Sequence, residues 1–134
     1  MKEDSMPKDT NLETAAKSSV QVIKFGDPAN DWHDYGDMPG DRTPGNPIGQ
    51  HASVWKSNDG RVTVGLWRRD ADYGDLLGTG QCFDFVIEGD VTVVDKEGRT
   101  HVANSGDLLI YNEKDEGSWE QPGPIRKIFI HVRD

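Results

Sequence analysis

An aspartate stands in the middle of an otherwise apolar segment, Cys82-Phe83-Asp84-Phe85-Val86-Ile87. Side chains of a strand alternate between two faces, so Cys82, Asp84 and Val86 share one face while Phe83 and Phe85 share the other. On a core-facing side the carboxylate is costly to bury unless it is paired or protonated. Lys127, in the run Ile125 to Val132, is the candidate partner, with His131 on the same alternating face. Burial alone would raise the pKa of Asp84 and suit it to general acid or base work, whereas a paired cation would keep it ionised. Tyr111 adds a phenol able to hydrogen-bond a ligand. Trp67 and Trp119 supply aromatic faces that bind planar or cationic small molecules, or that simply fill a core. Cys82 would need a nearby base or cation to become a nucleophilic thiolate, and Asp84 two residues away opposes that. It reads as a buried wall of the same site.

These groups sit on short β segments. Cys82–Ile87 stops at Glu88-Gly89-Asp90, and Val91–Val94 stops at Asp95-Lys96-Glu97-Gly98; two strands about an acidic, glycine-bearing turn read as a hairpin. Val102 leads to Ser105-Gly106-Asp107, which opens Leu108-Leu109-Ile110-Tyr111, and Ile125 to Val132 adds an aliphatic run. Short strands at such spacing suggest a barrel or jelly roll. Val20 to Phe25 alternates as one further strand, suited to a sheet edge or to a partner subunit. Residues 26–50 are rich in Gly, Pro and Asp and include Trp32, His33 and Tyr35. They read as a lid over the barrel mouth or as an arm packed outside or at a dimer contact. Met1 to Ser18, polar and without an apolar period, reads as a disordered tail.

With 134 residues, the chain reads as one domain over residues 19–134 after the tail. Its formal charge of −9, with dispersed bases, argues against a nucleic-acid partner. No apolar run matches a membrane span or a secretory core, so the expectation is a cytoplasmic protein with no membrane partner. A single cysteine excludes an internal disulfide. Gly78-Thr79-Gly80 precedes a strand and reads as a turn, not a phosphate cradle. Asp70-Ala71-Asp72-Tyr73-Gly74-Asp75 begins like a calcium loop but has Gln81 where the closing glutamate belongs. No serine lies in a nucleophile-elbow context.

Glu88-Gly89, Gly106-Asp107, Gly117-Ser118-Trp119-Glu120 and Arg126-Lys127, with Gly65-Leu66-Trp67 upstream, resemble the core of small single-domain cupins (RmlC-like jelly rolls), of the group related to ureidoglycine-aminohydrolase-like cupins. The resemblance covers about residues 52–132. It implies an all-β fold, the cupin double-stranded β-helix or jelly-roll barrel, here with an N-terminal arm. It also implies that the face of Asp84 is the barrel interior. Metal-binding cupins carry two histidines one residue apart, then a glutamate, and later a last histidine; the matching positions here are Asp75, Leu77, Cys82 and Gly117. A first-row metal needs several converging donors, typically imidazoles with a carboxylate. The expectation is therefore no metal and no cofactor. The function that follows is a metal-independent cupin binding a small polar metabolite, with Asp84, Tyr111 and Lys127 as catalytic groups for isomerisation, cyclisation or hydrolysis. Trp67, Cys82, Trp119 and His131 would line the ligand. The alternatives are a non-catalytic sensor or accessory protein, and a metalloenzyme with ligands relocated to His51, His131 and a carboxylate. Homodimers are common in this group, and residues 20–25 are the expected shared edge.

Overall fold

The computed structural model describes residues 20–34, 49–75, 80–112 and 117–133. The expected tail, residues 35–48 of the expected lid, and Leu77 lie outside the described residues. Ten strands follow in order: β1 (His33–Asp34), β2 (Gly49–Lys56), β3 (Val62–Arg69), β4 (Asp72–Asp75), β5 (Gln81–Glu88), β6 (Asp90–Val94), β7 (Thr100–Asn104), β8 (Leu108–Asn112), β9 (Ser118–Gln121) and β10 (Ile125–Val132). They form two antiparallel sheets, one ordered β4-β9-β6-β7 and the other β1-β2-β3-β10-β5-β8. The fold is all-β, two antiparallel sheets in a jelly-roll arrangement. Among the described residues no helix is long and apolar enough to cross a membrane.

The core lies between the sheets. Trp67, Val86, Val91, Val93, Ala103, Trp119 and Ile125 form one buried cluster, with Leu109 and Phe129 packed against it. Burying such side chains contributes about 1.5–3 kcal/mol each. β10 is central to the six-stranded sheet, between β3 and β5. Its alternation puts Ile125 and Lys127 inside and leaves Arg126 and Ile130 exposed. A bulge beside Arg126 and Lys127 shifts the β10–β5 register, so that Arg126 faces Glu88 while Lys127 faces Val86. Gly65 on β3 is required where it is, because a Cβ there would lie 2.2 Å from the Phe129 ring on the facing strand.

Two sequence expectations need correction. The segments on either side of Glu88-Gly89-Asp90 are not a hairpin: β5 pairs with β10 and β8, whereas β6 pairs with β9 and β7. The connection is a corner that carries the chain from one sheet to the other. Gly89 takes φ 93° there, and a Cβ would sit 2.2 Å from the Pro124 carbonyl oxygen. The hairpin of this region is β6–β7, closed by Asp95, whose carboxylate accepts the backbone N–H groups of Glu97 and Arg99.

The second correction concerns Val20 to Phe25, which is not a strand. Gly26-Asp27-Pro28 sets up turns: the Asp27 N–H bonds the Lys24 carbonyl, and the Asn30 side chain donates to the carbonyls of Lys24 and Phe25. Val20 and Val22 remain exposed. The segment is held as an arm by its aromatics. Phe25 and Trp32 lie 5.4 Å apart, with the Arg68 guanidinium 3.8 Å over Trp32 and that of Arg126 5.4 Å over Phe25. Beyond Trp32 the chain is not all loop, since β1 pairs with β2, and Gly49 and Gln50 already belong to β2.

Candidate functional site

Three strands of the six-stranded sheet bring the acid, the amine and the phenol together. Asp84 on β5 is 1% exposed, and its Oδ2 lies 2.8 Å from Lys127 Nζ on β10. The Tyr111 hydroxyl on β8 donates to the same oxygen at 2.9 Å. Lys127 and Tyr111 are 7% and 8% exposed, so the whole group is closed off from bulk water. A buried ion pair of this kind persists only with good geometry and further hydrogen bonds, and Tyr111 supplies one.

The ammonium is also enclosed by aromatic faces. Lys127 Nζ stands 4.4 Å from the Trp67 ring centroid and 4.3 Å from that of Trp119, and the two indoles meet edge to face at 6.0 Å. Trp67 is the cross-strand neighbour of Lys127, whereas Trp119 comes from the opposite sheet. The cation is thus held between sheets by one carboxylate and two π-faces. Sequence reasoning missed what fixes Trp119. Its indole Nε1–H donates to Gln121 Oε1 at 3.1 Å, while Gln121 Nε2 donates to the carbonyls of Arg69 and Gly123. Gln121 is fully buried. The available signal was its place two residues after Trp119, on the same face of β9.

Cys82 is buried and faces both Tyr111 and His131 across the sheet. It contacts the Tyr111 hydroxyl. Burial, the Asp84 charge and Cys82 together push the Tyr111 pKa far above the usual phenol range, so it remains a hydrogen-bond donor. His131 lies half-buried at the neighbouring register position; the expected site residues therefore occupy one continuous inner surface. His51, half-buried on β2, is the cross-strand neighbour of Trp67, and its ring lies 5.8 Å from the tilted ring of His33 of β1. Burial and the nearby His33 hold its pKa below the ordinary histidine value.

A cupin-type metal site fits these residues poorly. A side chain at Gly117, the position matching the last histidine, would start with a Cβ 2.3 Å from the Val94 carbonyl oxygen. Asp84 Oδ2 already accepts two donors, one of them cationic. Among the described residues no three His, Cys, Asp or Glu side chains are grouped to hold a metal ion.

A family model for the EutQ-like cupin domain matches residues 52–129. The chain belongs to the EutQ-like cupin domain family. This EutQ-like cupin is also similar to solved structures. The EutQ protein of Clostridium difficile is 18% identical, with 65% of this chain and 69% of that one covered and a TM-score of 0.56. A protein of unknown function from Pseudomonas syringae is 17% identical over 78% of this chain, with a TM-score of 0.67; the match spans only 45% of that protein. A Thermotoga maritima protein described as a predicted oxalate decarboxylase is 11% identical over 85% of this chain and 100% of its own, with a TM-score of 0.65. At these identities the likeness is one of fold. Comparison with curated proteins finds no match.

Proposed function

We propose that this EutQ-like cupin is a metal-independent protein that binds a small polar metabolite against the inner face of its barrel and performs acid/base chemistry on it. The observation that carries the reading is the Asp84–Lys127 pair, 2.8 Å apart and buried between two tryptophans. A packed apolar pair would often fold as well or better at such a place, so the retained charges invite a chemical role. The resemblance to ureidoglycine-aminohydrolase-like cupins, with Asp75, Leu77, Cys82 and Gly117 at the four ligand positions, supports the metal-free form of the reading.

The geometry supports the following roles. Asp84 is the base, taking a proton from a hydroxyl, amide or activated carbon of the ligand. Lys127 is the acid and offers positive charge to an oxyanion as it develops. Tyr111 stays protonated, so it works as a positioning residue that holds the Asp84 carboxylate by its Oδ2. Trp67, Trp119, Cys82 and His131 shape the space for the ligand, and the protein is a cytoplasmic homodimer in this reading.

A second reading, binding without turnover, draws on the closure of the triad, because the ammonium is already met by Asp84 and two indoles. The two readings separate in one experiment. Purified protein is screened by calorimetry against small hydroxy acids, ureides and amino alcohols, and each binder is followed for conversion by NMR. Asp84→Asn should lower turnover by roughly 10²–10⁴ with little loss of binding. Binders that are never converted by wild-type protein would establish the sensor reading. One equivalent of transition metal bound near Cys82 in protein as purified would overturn the metal-free reading.

A further inference from the structure

The charges of the buried group cancel. Asp84 and Lys127 form an ion pair, and Tyr111, which stays protonated, adds no charge. Among the described residues the other buried cation is Arg69, whose stem runs across Gly49 of β2, on the side of β3 away from β10. The walls around the Lys127 ammonium are held independently of it. Gln121, anchored on the carbonyls of Arg69 and Gly123, accepts the Trp119 indole N–H, and the Tyr111 hydroxyl fixes Asp84 Oδ2. The lysine is the adaptable member. It has a flexible four-carbon stem and starts beside the bulge at Arg126 and Lys127, a feature that re-aims side chains.

We infer that the ligand of this site is a small zwitterion, an α- or β-amino acid, whose ammonium replaces that of Lys127 between Trp67, Trp119 and Asp84 while Lys127 meets its carboxylate. This deepens the reading of the Asp84–Lys127 pair as the ligand site, and rests on it. Two indole faces and a carboxylate are surroundings that hold an ammonium, by cation–π attraction and a charge-assisted hydrogen bond. Lys127 Nζ, at 4.4 and 4.3 Å from the two ring centroids, already occupies such a place. Charge balance then selects the rest of the ligand. A molecule with an ammonium alone evicts Lys127 and leaves its charge buried without an acceptor. A molecule with a carboxylate alone takes the lysine and strands Asp84. Each is the costly half-broken state of a buried pair. An uncharged polar molecule has nothing to replace the cation between the indoles. An amino acid inserts between the partners, so that Asp84 holds its ammonium, Lys127 holds its carboxylate, and every buried charge keeps an opposite. The roles proposed above are kept: Asp84 faces the acidic protons of the ligand and Lys127 its oxygen anion.

The test is titration calorimetry on the full wild-type chain with glycine, L-alanine and β-alanine. Propionate and ethylammonium, which each carry one end of the zwitterion, and uncharged propionamide are titrated beside them. At least one amino acid should bind roughly 10–100-fold more tightly than any of the three analogues, as expected for one further charged hydrogen bond. Tryptophan emission should change on binding, because the cation between the indoles is exchanged. Asp84→Asn and Lys127→Met should each erase the preference for the zwitterion, with near-ultraviolet circular dichroism reporting the fold. The wild-type series decides the matter by itself if either variant fails to fold. An analogue that binds as tightly as the amino acids overturns the inference, as does a failure of all three amino acids to bind at millimolar concentration. Propionate or propionamide bound in wild type and lost in Asp84→Asn overturns the ligand class and leaves the acid/base reading standing. Absence of any ligand, here and in the wider screen, defeats both.

Discussion

Removing one member of the buried pair should cost far more than removing both. In Asp84→Asn the shape is kept and the Tyr111 hydroxyl can still find an acceptor, but the Lys127 ammonium, 7% exposed, loses its carboxylate at 2.8 Å. Stranding a buried charge in this way costs about 3–5 kcal/mol. At roughly 3 °C per kcal/mol for a domain of this size, the melting temperature should fall by about 10 °C. Lys127→Met strands the Asp84 carboxylate instead and should cost a similar amount. The double variant Asp84→Asn/Lys127→Met leaves no charge, and its thioether can lie between the two indoles. It should recover most of the loss: with the double variant costing about 1–2 kcal/mol, a urea-denaturation double-mutant cycle should give a coupling energy of about 5–8 kcal/mol, the two single losses less that of the double. Additive single losses below about 1 kcal/mol each would refute the buried pair, because they would mean that one or both groups already reach water.

Gly65→Ala should destabilise by about 1–3 kcal/mol through overpacking against the Phe129 ring, with part of the loss recovered in Gly65→Ala/Phe129→Leu, as read by thermal melts. Gln121→Leu removes three hydrogen-bond partners from buried groups and should cost about 1–3 kcal/mol, with a change in tryptophan emission as the Trp119 indole loses its acceptor. His51, with its pKa held below the ordinary value near 6.5, favours the neutral form in the folded state. The stability this gives is complete above pH 6.5 and is lost as pH falls from there through the folded-state pKa; His51→Gln should flatten that part of the stability–pH curve measured by urea unfolding.

Much of the site could be read from the strand Cys82–Ile87 alone. Period-2 alternation put Asp84 on one face with Cys82 and Val86, the cupin resemblance turned that face inward, and a buried carboxylate made a cation at Lys127 the natural thing to seek. Pairing was less legible. Glu88-Gly89-Asp90 carries the same local signals whether the chain turns back on itself or crosses to another sheet, and only the approach of Pro124 distinguishes the two. Val20 to Phe25 alternates convincingly, yet turn chemistry at Gly26-Asp27-Pro28 and ring stacking on arginines prevail over strand propensity. Gln121 escaped notice because an amide carries no charge; its role emerges only when the Arg69 and Gly123 carbonyls converge on it.

The place of β10 in its sheet has a bearing on biosynthesis. β1, β2 and β3 make one half of the six-stranded sheet and β5 with β8 the other, and among the described residues the strand pairing that joins the halves runs through residues 125–132. A nascent chain halted before Ile125 holds two half-sheets without the strand that pairs with both, and it lacks the lysine that pairs with Asp84. Folding of the domain is thereby tied to near-complete emergence of residues 49–132 from the ribosome. Prematurely terminated products should behave as wholly unfolded substrates for proteases and chaperones, with no partly native survivors.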